Sequence, residues 1–274
     1  MIILVKMKKK ISITINERTL SQIESRIDGL RIRSISQSIE ELVEKALRED
    51  RTAIILATTP IKANKKAIAE KPLLTVNGLT IIEHAISKLV ENKFQKIYIV
   101  GHHFTLTGIY DKIGDGSKYG EKITYVEEEP LSWNGIKKLA ETFNGPLLVA
   151  FCDIVFDEFD IEELWNQHIR SKALATLLIN TNPPKFAHKE LTVKVKGRKI
   201  IEFSHMDKQD FKLYFAGVFV AEPEMLKGTS NFESVFFSFA KTGMVNAYIQ
   251  TTNYYHIHTK LEEKRLKAQL RNRR

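Results

Sequence analysis

A single cysteine, Cys152, in 274 residues excludes an internal disulfide framework and a cysteine-based zinc site. It suits a reducing compartment, so a cytoplasmic setting is the expectation. Long hydrophobic runs are missing as well. The opening MIILV places five apolar residues before Lys6, too few for a signal peptide or a membrane span, and no membrane partner is expected. Met7 is an alternative start. No internal repeat or low-complexity linker interrupts the chain. What is present is ordinary for a folded protein: 43% hydrophobic residues and a length that suits one small and one large domain. The net charge of +9 is unevenly placed. Residues 1–51 carry +3, residues 260–274 carry +5, and the 208 residues between them carry +1. A near-neutral body with basic ends predicts nucleic-acid contact at the ends, although a basic tail that only aids solubility explains the C-terminal charge equally well.

Residues 10–50 hold the densest local pattern. Ile11, Ile13 and Ile15 alternate with Lys10, Ser12 and Thr14, which predicts a strand with one apolar face and one polar face. Asn16 is placed to cap a helix carrying Leu20, Ile23 and Ile27 on one side. Gly29 suits its C-terminal end. Ser34-x-x-Gln37 is a capping-box pattern ahead of a second helix bearing Ile39, Leu42, Val43, Ala46 and Leu47. Such a unit cannot bury its own apolar face and predicts a homodimer. The order of basic arm, alternating strand, helix, glycine turn and capped helix resembles the ribbon-helix-helix DNA-binding regulators. The resemblance covers residues 1–51 as a dimerising domain and implies double-stranded DNA as partner. It implies base contacts from Lys10, Ser12 and Thr14, and phosphate contacts from Lys8, Lys9, Ser34, Ile35 and Ser36.

Past Asp50 the period changes. Short β-branched runs at 52–58, 96–100, 122–126 and 146–151 alternate with helical segments at 79–92, 104–113 and 133–143. This is the pattern of an α/β domain, 52–274, with a mostly parallel sheet covered on both faces. Runs at 173–180, 191–204, 215–222 and 245–250 read as added strands of a mixed sheet, with a final helix from about Lys260 and a buried helix over 232–240. Ligands bind such sheets at the carboxyl ends of the strands. Asp153, just after PLLVAF, stands at such an end, with a turn-capping role as the plainer alternative.

The stretches KPLLTVNGLTIIEHAISKLVENKFQKIYIV, GDGSKYGEKITYVEEEPL, LLVAFCDIVFDEFDIEEL and FAGVFVAEPEML are similar to the sugar-phosphate nucleotidyltransferases, which make nucleotide sugars from an NTP and a sugar 1-phosphate. The resemblance implies a Rossmann-like core and Mg²⁺ as the metal if the site is active. It carries over Lys71, Asp153 and Gly217. The departures are systematic. Where the family has a glycine-rich phosphate loop, this chain has Thr58-Thr59-Pro60-Ile61-Lys62-Ala63-Asn64, without glycine. The base- and sugar-facing loop is Pro130-Leu131-Ser132-Trp133-Asn134-Gly135, and the sugar-phosphate-holding Glu-Lys-Pro falls near His205-Met206-Asp207. The second metal carboxylate falls on His256, a softer ligand than Mg²⁺ prefers.

Candidate ligand-binding residues are therefore Lys62, Lys71, Trp133, Asn134, Asp153 and Gly217; Lys71 and Asp153 are catalytic if the site works, and Asp153 and His256 are the metal candidates. Trp133 reads either as a stacking platform for a base or as a core aromatic at a helix start. His102-His103 read as loop histidines, and His256 with His258 as a metal pair lacking a third ligand. The sequence expectation is a dimeric, or if the large domains also pair tetrameric, transcription regulator. Its large domain would bind a nucleotide, sugar phosphate or nucleotide sugar without catalysis and without a required cofactor. The competing readings are a working Mg²⁺-dependent nucleotidyltransferase carrying a DNA-binding domain, and a structural scaffold.

Overall fold

The computed structural model describes residues 10–49, 51–57, 71–128, 133–155, 157–184, 191–205, 213–227, 237, 240–257 and 260–271. The chain divides into two compact units, Met1–Arg48 and Glu49–Arg274.

In the first unit, α1 spans Glu17–Glu24 and α2 spans Ile35–Glu49. Asn16 caps α1 as its position predicts: its side chain accepts from the Thr19 amide at 2.9 Å. The helix stops at Glu24, earlier than Gly29 suggests. The following turn is organised by Asp28, whose Oδ1 accepts from the amides of Leu30, Arg31 and Ile32. These three bonds hold its carboxyl below the usual range. Ser34 receives the Gln37 amide, but the Gln37 side chain reaches the Arg33 amide, so the capping box is displaced by one residue. The two helices are joined by the buried Ser38, whose hydroxyl donates to the Ile23 carbonyl at 3.0 Å.

The predicted strand does not form within the chain. Residues 10–16 have no strand pairing, and Ile11 and Ile13 are 75% and 55% exposed. A strand exists through the backbone groups of a neighbour, and an isolated alternating segment has none to pair with.

The second unit opens at Arg51, whose guanidinium lies against Trp165 and Phe94 and pairs with Glu162, Nη2 to Oε1 at 2.9 Å. Then follow β1 (Thr52–Ala57), the hairpin β2 (Thr75–Val76) and β3 (Leu79–Thr80), α3 (Ile81–Glu91), β4 (Lys96–Gly101), α4 (His103–Ile113), β5 (Lys122–Glu127), α5 (Asn134–Glu141) and β6 (Leu147–Phe151). Next come β7 (Ile154–Val155), α6 (Ile161–Arg170), β8 (Ala175–Asn180), the pair β9 (Leu191–Lys196) and β10 (Lys199–His205), and β11 (Tyr214–Ala221). The unit closes with α7 (Pro223–Lys227), β12 (Val245–Gln250), β13 (Tyr255–His256) and α8 (Lys260–Arg271).

The main sheet runs β5-β4-β1-β6-β11-β8-β12-β10-β9. Strands β5, β4, β1 and β6 are mutually parallel, and β11 enters antiparallel between β6 and β8. The mixed α/β sheet expected from the pattern is therefore present. Along β1, Ala53, Ile55 and Ala57 face α3, α4 and α6, whereas Ile54 and Leu56 face α5 and α7. Both faces are buried, which is why these strands read as continuous apolar runs instead of alternating ones. From β1 the chain moves outward to β4 and β5, then returns to the other side of β1 for β6. That reversal makes a topological switch point at the carboxyl ends of β1 and β6, the position at which sheets of this kind hold ligands. Of the helix expected over 232–240, only positions 237 and 240 are described, both helical.

Candidate active site

At the carboxyl end of β6 the chain turns through Cys152 and Asp153 into β7. Three backbone features hold this turn. The Cys152 amide donates to the Leu56 carbonyl of β1, the Ile257 amide donates to the Asp153 carbonyl, and β7 pairs antiparallel with β13, setting Ile154 opposite His256. The last pairing brings residues about a hundred positions apart into register at the site. Lys71 arrives separately, from a single 3-10 turn, Lys71–Leu73, ahead of β2.

The result is a compact charged cluster. Lys71 Nζ lies 3.6 Å from Asp153 Oδ2, and His256 Nε2 lies 3.3 Å from Asp153 Oδ1. The Lys71, Asp153 and His256 side chains are 8%, 11% and 13% exposed. Desolvating ions costs several kcal/mol each, against a Coulomb gain on the order of 5 kcal/mol for a pair this close at an effective dielectric near 20. The pair therefore adds little to stability, which makes its burial at the carboxyl end of β6 the mark of a candidate site. Cys152, next to Asp153, is no candidate nucleophile: burial, reinforced by the Asp153 charge, pushes its thiol far above the ordinary range.

Gly217 faces the same turn from β11. Its φ is +70°, and a Cβ there would sit 2.0 Å from Ile154 Cδ1 and 3.0 Å from Phe151 Cδ2. Its absent side chain lets β11 approach the turn that carries Asp153.

The other sequence candidates separate. Trp133 is buried, and its indole N–H donates to the Leu226 carbonyl at 3.1 Å. It packs in the core beneath α5 and offers no open face to a base, which settles its two readings in favour of the core aromatic. Asn134 is exposed at the first position of α5. His102 caps α4, and His103, expected in a loop, is instead the first residue of that helix and approaches Glu127 at 3.5 Å in an exposed pair. Lys62, Lys8, Lys9, His258 and the segments 58–70 and 129–132 lie outside the described residues, as do Met206 and Asp207. Lys10, Ser12, Thr14, Ser34, Ile35 and Ser36 are at least partly exposed in the first unit, and the paired strand meant to present the first three is not formed.

Two features escaped the sequence reading. Glu128, buried just after β5, accepts the Gly135 amide, so a protein carboxylate already occupies the amino end of α5. The run Glu127-Glu128-Glu129 before a helix start was a usable signal. His84 of α3 is also buried, with Nε2 2.8 Å from the Val76 carbonyl and Nδ1 2.7 Å from Asp157 Oδ2. Two acceptors require both ring nitrogens to donate, which favours the imidazolium. Burial opposes that charge, but the Asp157 and Val76 bonds outweigh it and the pKa is raised. Lys88 Nζ adds a bond to the Asp157 carbonyl at 2.6 Å. Together they tie α3 to the segment that leaves the Asp153 turn. Among the described residues no group of three or more His, Cys, Asp or Glu side chains is placed to hold a metal. No described helix is long and apolar enough to cross a membrane.

The nucleotidyl transferase family model matches residues 66–204, just over half the chain, including Lys71 and Asp153. The chain belongs to the nucleotidyl transferase family. The bifunctional protein GlmU of Methanococcus maripaludis is 33% identical over 153 residues, 54% of this chain and 34% of the relative, so this chain spans about a third of that relative's length. A Bacillus anthracis structure named as a glucose-1-phosphate thymidylyltransferase in complex with sucrose superposes with a TM-score of 0.68 at 18% identity, over 81% of this chain and 96% of that one. The inositol-1-phosphate CTP transferase from T. maritima superposes with a TM-score of 0.59 at 14% identity, over 78% and 91%. At such identities these two structures establish the shared fold. The expected transcription regulator with a catalytically silent large domain is thereby corrected. The family match is to nucleotidyl transferases, and none of these likenesses is to a DNA-binding protein. The short N-terminal pattern spans about 40 residues, whereas the family match spans residues 66–204 and includes Lys71 and Asp153.

Proposed function

We propose that the protein is a sugar-phosphate nucleotidyltransferase. A phosphate oxygen of a sugar 1-phosphate attacks the α-phosphorus of an NTP, the bond to the β-phosphate oxygen breaks, and pyrophosphate leaves. The supporting observation is the buried Lys71–Asp153 pair at the carboxyl ends of β1 and β6, inside the segment matched to the family. Phosphoryl and nucleotidyl transfers depend mainly on positioning and on neutralising phosphate charge. Lys71, fixed beside Asp153, serves as a point charge for the phosphates. Lys62 joins it on sequence grounds, as does Asn134 at the exposed start of α5. Gly217 fixes the turn that aims Asp153. If the reaction uses a divalent cation, Asp153 would be its carboxylate ligand, with His256 lying 3.3 Å from Asp153 Oδ1. When bound, such a cation supplies further charge neutralisation at the phosphates.

The test is pyrophosphate release from each NTP with a panel of sugar 1-phosphates and either Mg²⁺ or Mn²⁺. Turnover that disappears in Asp153→Ala and Lys71→Ala supports the assignment. Release no faster than in Asp153→Ala for every pairing sinks it.

The homodimer stays in the proposal on a separate observation. Among the described side chains of the first unit, Ile23 and Ile32 are buried, whereas Ile11, Ile13, Leu30 and Val43 are exposed. These exposed large apolar side chains on so small a unit call for further cover, and a second copy supplies it.

A further inference from the structure

We propose that His84 is a positioning residue for nucleotidyl transfer, a single ring that holds the Lys71-bearing and Asp153-bearing segments at their working separation. The inference rests on the nucleotidyltransferase reading above and adds what keeps its two charged groups together. Lys71 and Asp153 stand on segments far apart in sequence, one a 3-10 turn and the other the turn after β6. Val76 lies five positions after Lys71, and Asp157 four positions after Asp153. His84 reaches both. Its Nε2 is 2.8 Å from the Val76 carbonyl, and its Nδ1 is 2.7 Å from Asp157 Oδ2. Short stretches of backbone connect each contact to its charged group. On one side the Leu74 amide donates to the Lys71 carbonyl at 3.1 Å, and Val76 follows in β2. On the other, Asp153 leads through β7 to Asp157, and its carbonyl accepts from the Ile257 amide at 3.0 Å. The ring itself is held firmly: its side chain is 8% exposed, and α3 begins in a reciprocal capping box between Thr80 and Glu83.

Geometry and protonation are coupled in this ring. A planar imidazole sets the span between its two acceptors, and only the imidazolium donates from both nitrogens. The neutral ring turns one bare nitrogen toward an oxygen that can only accept, so one of the two segments is released. The surrounding charges favour the cation. Asp157 bonds it directly, and Glu83 on α3 adds a second negative charge. Of the elements packed most closely against α3, the turn Ser117–Tyr119 brings Lys118 and the turn Lys71–Leu73 brings Lys71, while β3 and β7 carry no titratable side chain. Lys118 and Lys112 lie 3.4 and 3.8 Å from Glu83, and Lys71 lies 3.6 Å from Asp153. A buried ion with a half-exposed partner adds little to stability, so spanning two segments is the role this ring is suited to.

The full-length protein is assayed for pyrophosphate release from about pH 5.5 to about pH 9.5. An NMR titration of the His84 ring and hydrogen exchange at the Leu74 and Ile257 amides are read in parallel. In the wild type kcat should fall as the pH climbs through the ring's own titration, because the imidazolium is the holding form. Asp157→Asn removes a charge that favours the imidazolium, so the fall in kcat and the ring titration should move together to lower pH. A merely structural bond would change the melting temperature without moving that fall. His84→Gln has one amide nitrogen and cannot span both acceptors. It should lose about tenfold or more in kcat, with KM for the NTP changed less than about threefold. Both amides should exchange faster in it. A pH profile that does not follow the ring titration, or unchanged exchange at either amide in His84→Gln, overturns the proposal. A wild-type rate in His84→Gln rejects the positioning role alone. Faster exchange at both amides in a protein that releases no pyrophosphate rejects the reaction and leaves His84 as the brace between the two segments.

Discussion

The two units differ in how much of their pattern is cashed out as packing. In Met1–Arg48 the helices and the Asn16 cap follow the sequence closely, yet among the described side chains of that unit Ile23 and Ile32 are the only buried apolar ones, with Ser38 also buried. In Glu49–Arg274 apolar strands are buried on both faces of a nine-stranded sheet, and ionisable groups are buried with them at one edge. A clear local pattern therefore says which elements form, while buried charge at a strand end says where chemistry is placed. The first unit is rich in the former, and the second holds the latter.

The sharpest way to break that contrast is through the site. Removing Lys71 or Asp153 should lower pyrophosphate release by about a thousandfold or more, the scale expected when a charge acting on the transferred group is lost. Substitutions confined to Ile11 and Ile13 should leave the rate per site unchanged. Comparable rate losses from both would erase the distinction between the units. The second effect concerns mass. Ile11→Glu combined with Ile13→Glu should halve the particle mass in light scattering, and a mass equal to that of the wild type would remove the homodimer assignment. Third, Gly217→Ala should cost about 3 kcal/mol, because a Cβ strikes Ile154 and an alanine is strained at that φ. Thermal unfolding measures this, and a change under 1 kcal/mol would mean that the turn gives way freely.

A smaller effect depends on pH. The His84 pKa is raised in the folded state above its reference value of 6.5. Its bonds to Asp157 and Val76 thus contribute stability that is whole below about pH 6.5 and fades as the pH climbs through the raised value. The melting-temperature gap between wild type and His84→Gln should be wider at pH 6 than at pH 9. Added salt should narrow the gap, because the Asp157 side chain is 47% exposed and its charge is screened. A gap independent of pH would argue that His84 stays neutral. Smallest of all, Asn16→Ala should cost about 1 kcal/mol, seen as faster amide exchange in α1 with catalysis untouched. Rate loss in that variant would show that the first unit matters to the chemistry.

Much of this was readable in the chain. The strands of the main sheet fall within a residue or two of the runs read from sequence; the central ones, such as β1 and β8, are buried on both faces and so are apolar almost throughout. Only the run 191–204 divides, into β9 and β10 about a turn at Gly197. Lys71 and Asp153 were nameable from their motifs, and His256 from its alignment with a family carboxylate. What could not be read was their meeting. It is made by two-residue strands, β7 and β13, too short to leave a periodic trace, and by one 3-10 turn. The fate of Trp133 was equally hidden, since a helix start is compatible with a platform or a core position until α7 supplies the Leu226 carbonyl.

The sequence by itself determined the element order, the mixed α/β sheet and the residue types available for charge chemistry, because periodicity and composition are local properties that each segment carries alone. It also determined the cap at Asn16, where donor and acceptor lie three residues apart. Only the tertiary structure decided that Lys71, Asp153 and His256 lie together, that Gly217 packs against the turn carrying Asp153, and that Ile11 and Ile13 stay exposed within one chain. Each of those depends on groups far apart in sequence arriving within a few ångströms, and sheet order and strand register set those distances.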